Sequence, residues 1–255
     1  MIITKLNWAG VLVQVNETTI LIDPLGDTVQ NQGKPLVAQF GAPQEDIIPL
    51  TSLPRPDAIL ITHAHSDHFS PKTLLDTFGA EVPVFMPHDS LAMAGKAGFT
   101  KLKGLSVGET AAVGSVTVSA TYSIDGFGSP QVAWIVEGEG KKIIHCGDTL
   151  WHGYWLNIAH KYGSFDVAFL PINAAILEIP GLPKQSQLPA CMGPEEAVEA
   201  AYLLGVKSLI PIHYNTFHNP PYYIETENAL ARMHERAVTR GVGTRVLQPA
   251  ETIEL

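Results

Sequence analysis

Three histidines and an aspartate fall within six consecutive positions, His63-Ala64-His65-Ser66-Asp67-His68, just behind the apolar run Ala58-Ile59-Leu60-Ile61. The run reads as a buried strand. In extended chain, residues i and i+2 share a side, so His63 and His65 can grip one ion. Asp67 and His68 reach a neighbouring position as the chain turns. Imidazoles and a carboxylate crowded at a strand end are donors for a hard or borderline divalent metal. A solvated polar turn is the plain alternative, and a single histidine there would be a hydrogen-bonded structural residue more often than a ligand. Four candidate ligands at alternating spacing favour a metal centre that activates water.

The block resembles the HxHxDH signature of the metallo-β-lactamase fold superfamily, and further pieces follow in order. Asp23-Pro24, after Thr19-Ile20-Leu21-Ile22, is similar to the early aspartate motif. His145-Cys146-Gly147-Asp148-Thr149 resembles the GDT motif, whose Asp bridges two metals, and Pro211-Ile212-His213-Tyr214-Asn215-Thr216-Phe217 resembles the late histidine motif. Met192-Gly193-Pro194-Glu195-Glu196-Ala197 looks like a bacterial branch of metal-dependent hydrolases related to ascorbate-phosphate lactonase. The resemblance implies an α/β (α+β) fold, a four-layer αββα sandwich. It also implies a first metal position at His63, His65 and Asp148 and a second at Asp67, His68, His213 and Asp148. One departure stands out: the superfamily supplies a further metal-binding His between the first signature and the GDT motif. Here the matching place is Ala120-Thr121-Tyr122-Ser123, and no His occurs between His88 and His145. The first position is then left with one place open, or filled by water or Tyr122.

A chain of 255 residues, 45% apolar and 16% charged, can bury one substantial core, and a single domain over 1–255 is expected. A net charge of −9 argues against a nucleic-acid surface, which needs clustered Lys and Arg. A small-molecule substrate fits better. Two cysteines, Cys146 and Cys191, are too few for a disulfide framework and suggest a reducing compartment. Met1-Ile2-Ile3-Thr4-Lys5-Leu6 lacks a secretion-signal pattern, and no apolar run reaches the roughly 18 residues of a membrane span. The expectation is a soluble, cytoplasmic protein.

The predicted strands are Val11–Val15, Thr19–Ile22, Ala58–Ile61, Val82–Met86, Val116–Ala120, Val132–Val136, Lys142–Cys146, Asp166–Leu170 and Ser208–Ile212, with a turn at Gly138-Glu139-Gly140. Ser70-Pro71 should open a helix ending near Phe78. Pro194 opens another that Gly205 stops, and residues Glu225 to Arg240 read as a third, stopped by Gly241. Residues from about Leu25 to Pro54 form a long connection, which borders the active site or is a plain surface excursion. The Pro-rich and apolar stretch 173–192 looks like an insertion. It reads either as a lid or pocket wall, or as a loop that covers apolar surface or contacts another subunit in a homo-oligomer.

The chemistry expected is metal-assisted hydrolysis of a small ester, lactone or phosphoester, with one or two divalent ions per chain, zinc first and manganese or iron as alternatives. Asp148 suits the bridging position, and Asp67 suits binding the second ion and handling the proton. His145 lies three residues before Asp148, so a regular strand points the two to opposite faces. It reads as a hydrogen-bond partner of a ligand or a packed core residue, and as a ligand only if the strand bulges. His152 and His218 follow ligand motifs and are candidates for lining the pocket. Tyr214 and Asn215 either stabilise an oxyanion or pack a turn. His88, His160 and His234 read as structural or exposed. Two other functions remain in view. One is a non-catalytic metal- or ligand-binding protein with an impaired first metal position. The other is an oxygen-reducing diiron module, for which no flavin domain is visible.

Overall fold

The computed structural model describes residues 1–26, 37–179, 181, 183–184 and 186–255. A seven-stranded sheet is built from β1 (Ile2–Lys5), β2 (Val11–Val15), β3 (Thr18–Ile22), β4 (Ala58–Leu60), β5 (Val84–Pro87), β6 (Leu102–Leu105) and the last strand, β15 (Thr252–Glu254), in the order β15-β1-β2-β3-β4-β5-β6. A six-stranded sheet holds β7 (Thr110–Val113), β8 (Val116–Tyr122), β9 (Val132–Gly138), β10 (Lys141–His145), β11 (Val167–Pro171) and β13 (Ser208–Ile212), ordered β13-β11-β10-β9-β8-β7. A small ribbon pairs β12 (Ile176–Leu177) with β14 (Tyr223–Ile224).

Period-two alternation gives each sheet two apolar faces. Ile20, Ile22 and Leu60 of the first sheet meet Val118, Trp134, Ile143 and Phe169 of the second in one buried layer. The alternate residues face outward: Leu21, Ile59 and Met86 pack beneath α2 (Pro71–Phe78) and α3 (Leu91–Ala97). On the other side Ile135, Ile144 and Ala168 pack beneath α4 (Trp155–Tyr162), α5 (Pro194–Leu204) and α6 (Ala229–Arg240). The result is the four-layer αββα sandwich. A short turn of helix, α1 (Val37–Phe40), lies in the long connection after β3, whose residues 27–36 lie outside the described region. No helix of the described residues is long and apolar enough to cross a membrane.

The expected strands recur with ends shifted by one or two residues, and Gly205 and Gly241 close α5 and α6 in the left-handed conformation as anticipated. The helix expected from Glu225 begins only at Ala229. Tyr223 and Ile224 are spent in the ribbon, and the Thr226 amide donates to the Asn173 carbonyl, which holds 225–228 out of helical geometry. Helices α1, α3 and α4 and strands β1, β6, β7, β12, β14 and β15 had no sequence forecast.

Candidate metal centre

The chemistry collects where strands end. β3 runs parallel to β4, and β10 parallel to β11 and β13, so the C-terminal ends of each set lie on one edge. β3 delivers Asp23, β4 the histidine block, β10 the turn to Asp148, β11 Asn173 and β13 His213. Close approach explains Gly147: it sits at φ 61°, and a Cβ there would lie 2.7 Å from the Thr62 hydroxyl.

Two groups of donor atoms result, each with its members within 4.8 Å of one another. The first is His63, His65, Asp125 and Asp148; the second is Asp67, His68 and His213. His63 Nε2, His68 Nε2, His213 Nε2, Asp125 Oδ1 and Asp148 Oδ1 are all buried without a hydrogen-bond partner. A buried polar atom left unpaired costs free energy on the order of 1–3 kcal/mol. Buried donors gathered into two such groups suit metal coordination.

The imidazoles are held from behind. Thr62 Oγ1 donates to Asp23 Oδ2 at 2.5 Å, which leaves that hydroxyl to accept from His63 Nδ1 at 3.1 Å. Asp23 Oδ2 also accepts from His68 Nδ1 at 2.8 Å. His213 Nδ1 donates to Asn173 Oδ1 at 3.3 Å, and Asn173 is itself fixed by Cys191 and Tyr223. His65 shares its Nε2 with Ser129 Oγ at 2.8 Å and turns Nδ1 toward Asp125. Each ring thus offers its other nitrogen to the centre, the tautomer a metal requires.

Burial, reinforced by the neighbouring His68, pushes His63 well below the ordinary histidine value, and burial lowers His213 as well, so both rings are neutral. Burial raises the Asp148 carboxyl. For Asp67 burial acts upward, but the His68 charge and the His213 ring, each with Nε2 3.4 Å from Oδ2, outweigh it and hold the carboxyl well below the usual range. Burial would lower His68, yet the Asp67 and Asp23 carboxylates hold it well above its ordinary value. Without a metal, then, His68 keeps a proton between two carboxylates.

Asp125 and Trp8 were not anticipated. Tyr122 ends β8 with its ring stacked on Tyr154 at 3.9 Å, and the chain needs three further residues before Asp125 reaches His65. The side chain found beside the first histidine pair is therefore Asp125, not Tyr122. Trp8, at φ 57°, donates its indole N–H to Asp67 Oδ2 at 3.0 Å and packs its ring against His213, tilted by 38° with centroids 3.9 Å apart. Its position in the sequence carries no signal, since only tertiary packing brings β1 to this edge.

The remaining candidates sit apart from the two groups. His145 is fully buried, with Nε2 on the Ala9 carbonyl at 2.7 Å and Nδ1 accepting from the Gly147 amide. His152 stacks on Trp155, and burial lowers it to about 4. Tyr214, Asn215 and His218 line a separate groove with Glu225, whose carboxyl burial raises to about 7. His88, His160 and His234 are exposed.

A cavity of about 30 Å³ at the centre is lined by Asp67, Asp148, Cys191 and His213 among others. It shares Phe40, His65, Asp67, Phe127 and Leu177 with an adjoining cleft of about 210 Å³. The 173–192 segment forms one wall of that cleft through Leu177 and Ile179, anchored by the β12–β14 ribbon and by the Ala190 amide on the Ala175 carbonyl.

Residues 18–214 match the family described as the beta-lactamase superfamily domain. A UPF0173 metal-dependent hydrolase of Enterococcus faecalis is 34% identical over 78% of this chain and 81% of its own. One from Geobacillus thermodenitrificans is 30% identical over 98% and 100%. Among solved structures, a metallo hydrolase from Ignicoccus hospitalis superposes with a TM-score of 0.70 over 99% of this chain and 97% of that one, at 23% identity. The chain belongs to the beta-lactamase superfamily domain family and is a metal-dependent hydrolase of the metallo-β-lactamase fold.

Proposed function

We propose that this hydrolase cleaves a small carbonyl ester or lactone at a centre of two divalent ions. His63, His65, Asp125 and Asp148 would hold the first ion, and Asp67, His68 and His213 the second, with Asp148 lining the same cavity as Asp67 and His213 and so able to serve either position. The observation that carries the reading is the convergence of five unpartnered, buried donor atoms. When bound, a divalent ion supplies Lewis-acid chemistry, lowering the pKa of a water to about 7 and polarising an acyl oxygen.

The residues do the rest. Asp23, Thr62 and Asn173 fix the imidazole orientations so that no reorganisation accompanies reaction. Trp8 pins one oxygen of Asp67, which lines both the central cavity and the cleft and is placed to take a proton from the attacking water and give it to the leaving alkoxide oxygen. Phe127, Leu177, Ile179 and Phe40 present an apolar wall, and no Lys or Arg among the described residues lines the cleft. That lining supports an uncharged acyl group over a phosphoester, whose negative charge would seek cationic partners. The 173–192 wall then acts as a specificity element.

Elemental analysis of purified protein beside His213→Ala tests the centre: two ions per chain should fall toward one. Turnover measured on ester, lactone and phosphodiester panels tests the substrate. Selective phosphodiester hydrolysis would replace the acyl reading, and no metal after incubation with Zn or Mn would remove the centre itself.

A further inference from the structure

The cleft beside the centre is not apolar throughout. Gln39 and Ser66 line it opposite Phe127 and Leu177, and neither borders the small central cavity, so both face the outer part of the cleft. Both are half-buried, and neither belongs to a metal-binding group. Among the described residues, the Gln39 amide and the Ser66 hydroxyl have no hydrogen-bond partner. Their backbones are nonetheless fixed. The Gln39 carbonyl accepts from Asn219 Nδ2 at 3.1 Å, and the next ring, Phe40, packs on Phe217 and Tyr223 with centroids 5.5 and 4.6 Å away. Gly41 then turns the chain at φ 85°, where a Cβ would lie 2.9 Å from Asn219 Cβ. Ser66 sits in the turn that the His68 and Phe69 amides close on the His65 carbonyl, at 3.0 and 2.7 Å.

Water satisfies such groups in an open cleft, and a substrate that fills the cleft must replace it. A hydrocarbon chain would leave an amide and a hydroxyl unpaired, whereas a chain with its own donor and acceptor would pair with them. A site that offers hydrogen bonds rejects an analogue lacking the partner far more strongly than an apolar pocket rejects a missing methylene. Glutamine sets a carbonyl acceptor beside an NH2 donor, the complement of a carboxamide. Apart from His65 and Asp67, no titratable side chain among the described residues lines the cleft, so an uncharged partner fits. We propose that Gln39, supported by Ser66, is a specificity-determining residue, and that the acyl chain of the substrate carries a carboxamide or another uncharged group that both donates and accepts a hydrogen bond. The proposal rests on the reading of this protein as an acyl-ester hydrolase.

The test compares two phenyl esters on the metal-loaded, full-length protein: that of adipic acid monoamide, and an isostere in which isopropyl replaces the terminal carboxamide. Wild type should favour the amide ester in kcat/KM by about tenfold or more. Gln39→Leu should lower kcat/KM on the amide ester about tenfold and raise it on the isopropyl ester about threefold, opposite movements that loss of fold or of metal does not produce. Ser66→Ala should move the ratio the same way by a smaller factor. Adipic acid monoamide, titrated calorimetrically into each protein, should bind Gln39→Leu about tenfold more weakly than wild type, a readout independent of turnover. If wild type and Gln39→Leu hydrolyse both esters with the same ratio, Gln39 does not set specificity, and the acyl-ester reading stands. Turnover of a phosphodiester beside neither ester would bring down that reading itself, a separate failure.

Discussion

Asp23 Oδ2 lies 2.8 Å from His68 Nδ1, and both side chains are wholly buried. Asp23 also accepts from the Thr62 amide at 2.7 Å and from the Thr62 hydroxyl, so one carboxylate orients His68 directly and His63 through Thr62. Asp23→Ala should weaken metal binding at both positions by about 10- to 100-fold. It should also destabilise the metal-free fold, by about 1–3 kcal/mol for each buried donor left without its acceptor, the Thr62 amide and His68 Nδ1. Metal titration and urea melts measure the two effects separately, and a variant with wild-type affinity would show that Asp23 has no orienting role.

Trp8 acts on the other side of the centre, where its indole N–H meets Asp67 and its ring covers His213. Trp8→Phe keeps an aromatic ring over His213 but removes the donor. Second-position affinity should fall about tenfold and kcat with it, while first-position affinity stays within about twofold. An equal fall at both positions, in isothermal titration against a single metal, would indicate general loosening rather than loss of one hydrogen bond.

Much of this centre is legible in sequence because strand geometry places it locally. His63 to His68 sit on one strand end, and β3, β10 and β13 each end in a short motif that announces Asp23, Asp148 or His213. Asp125 is invisible for the opposite reason. It lies 60 residues from His65, in a Gly-rich turn whose role emerges only when Ala190 and Thr149 close on it. Position along the chain pointed instead to Tyr122, a ring that packs on Tyr154. Trp8 and Asn173 are hidden in the same way, since nothing in Asn7-Trp8-Ala9 or Ile172-Asn173-Ala174 differs in pattern from an ordinary strand end. The edge strand β15 pairs with β1 across nearly the whole length of the sequence, a contact too distant for periodicity to reveal.

Phe127 is half exposed at the mouth of the cleft, its ring 6.1 Å from His65, and Leu177 faces the same space from the ribbon. An acyl chain lying between them would bury apolar surface worth roughly 1–2 kcal/mol at each residue. Phe127→Ala and Leu177→Ala should each lower kcat/KM by about tenfold on esters or lactones with a longer acyl group. On the acetate analogue the loss should be under about threefold, since the acetyl methyl is too short to touch either side chain. Equal losses across the series would mean that these residues shape the centre and not the substrate pocket.

Lys5 is 4% exposed, its ammonium donating to the Trp8 carbonyl at 2.7 Å and to the Leu6 carbonyl. Burial pulls its pKa down to about 7, against the opposing pull of Glu45. In the unfolded chain the same amine titrates at about 10.4. Between those values the unfolded state binds a proton that the folded state does not, so Lys5 contributes a stability that rises with pH, by at most about 1.4 kcal/mol per unit. His68 acts in the opposite sense, because its raised pKa lets the folded chain keep a proton that the unfolded chain loses, and above about pH 8.5 the buried thiols of Cys146 and Cys191 do the same. The Lys5 contribution should therefore appear as a difference: between pH 7 and about 8.5 metal-free wild type should gain about 1–2 kcal/mol relative to Lys5→Met. Urea melts of both proteins across this window decide the matter: parallel profiles would mean that Lys5 stays charged inside the fold, held by its two carbonyls and Glu45.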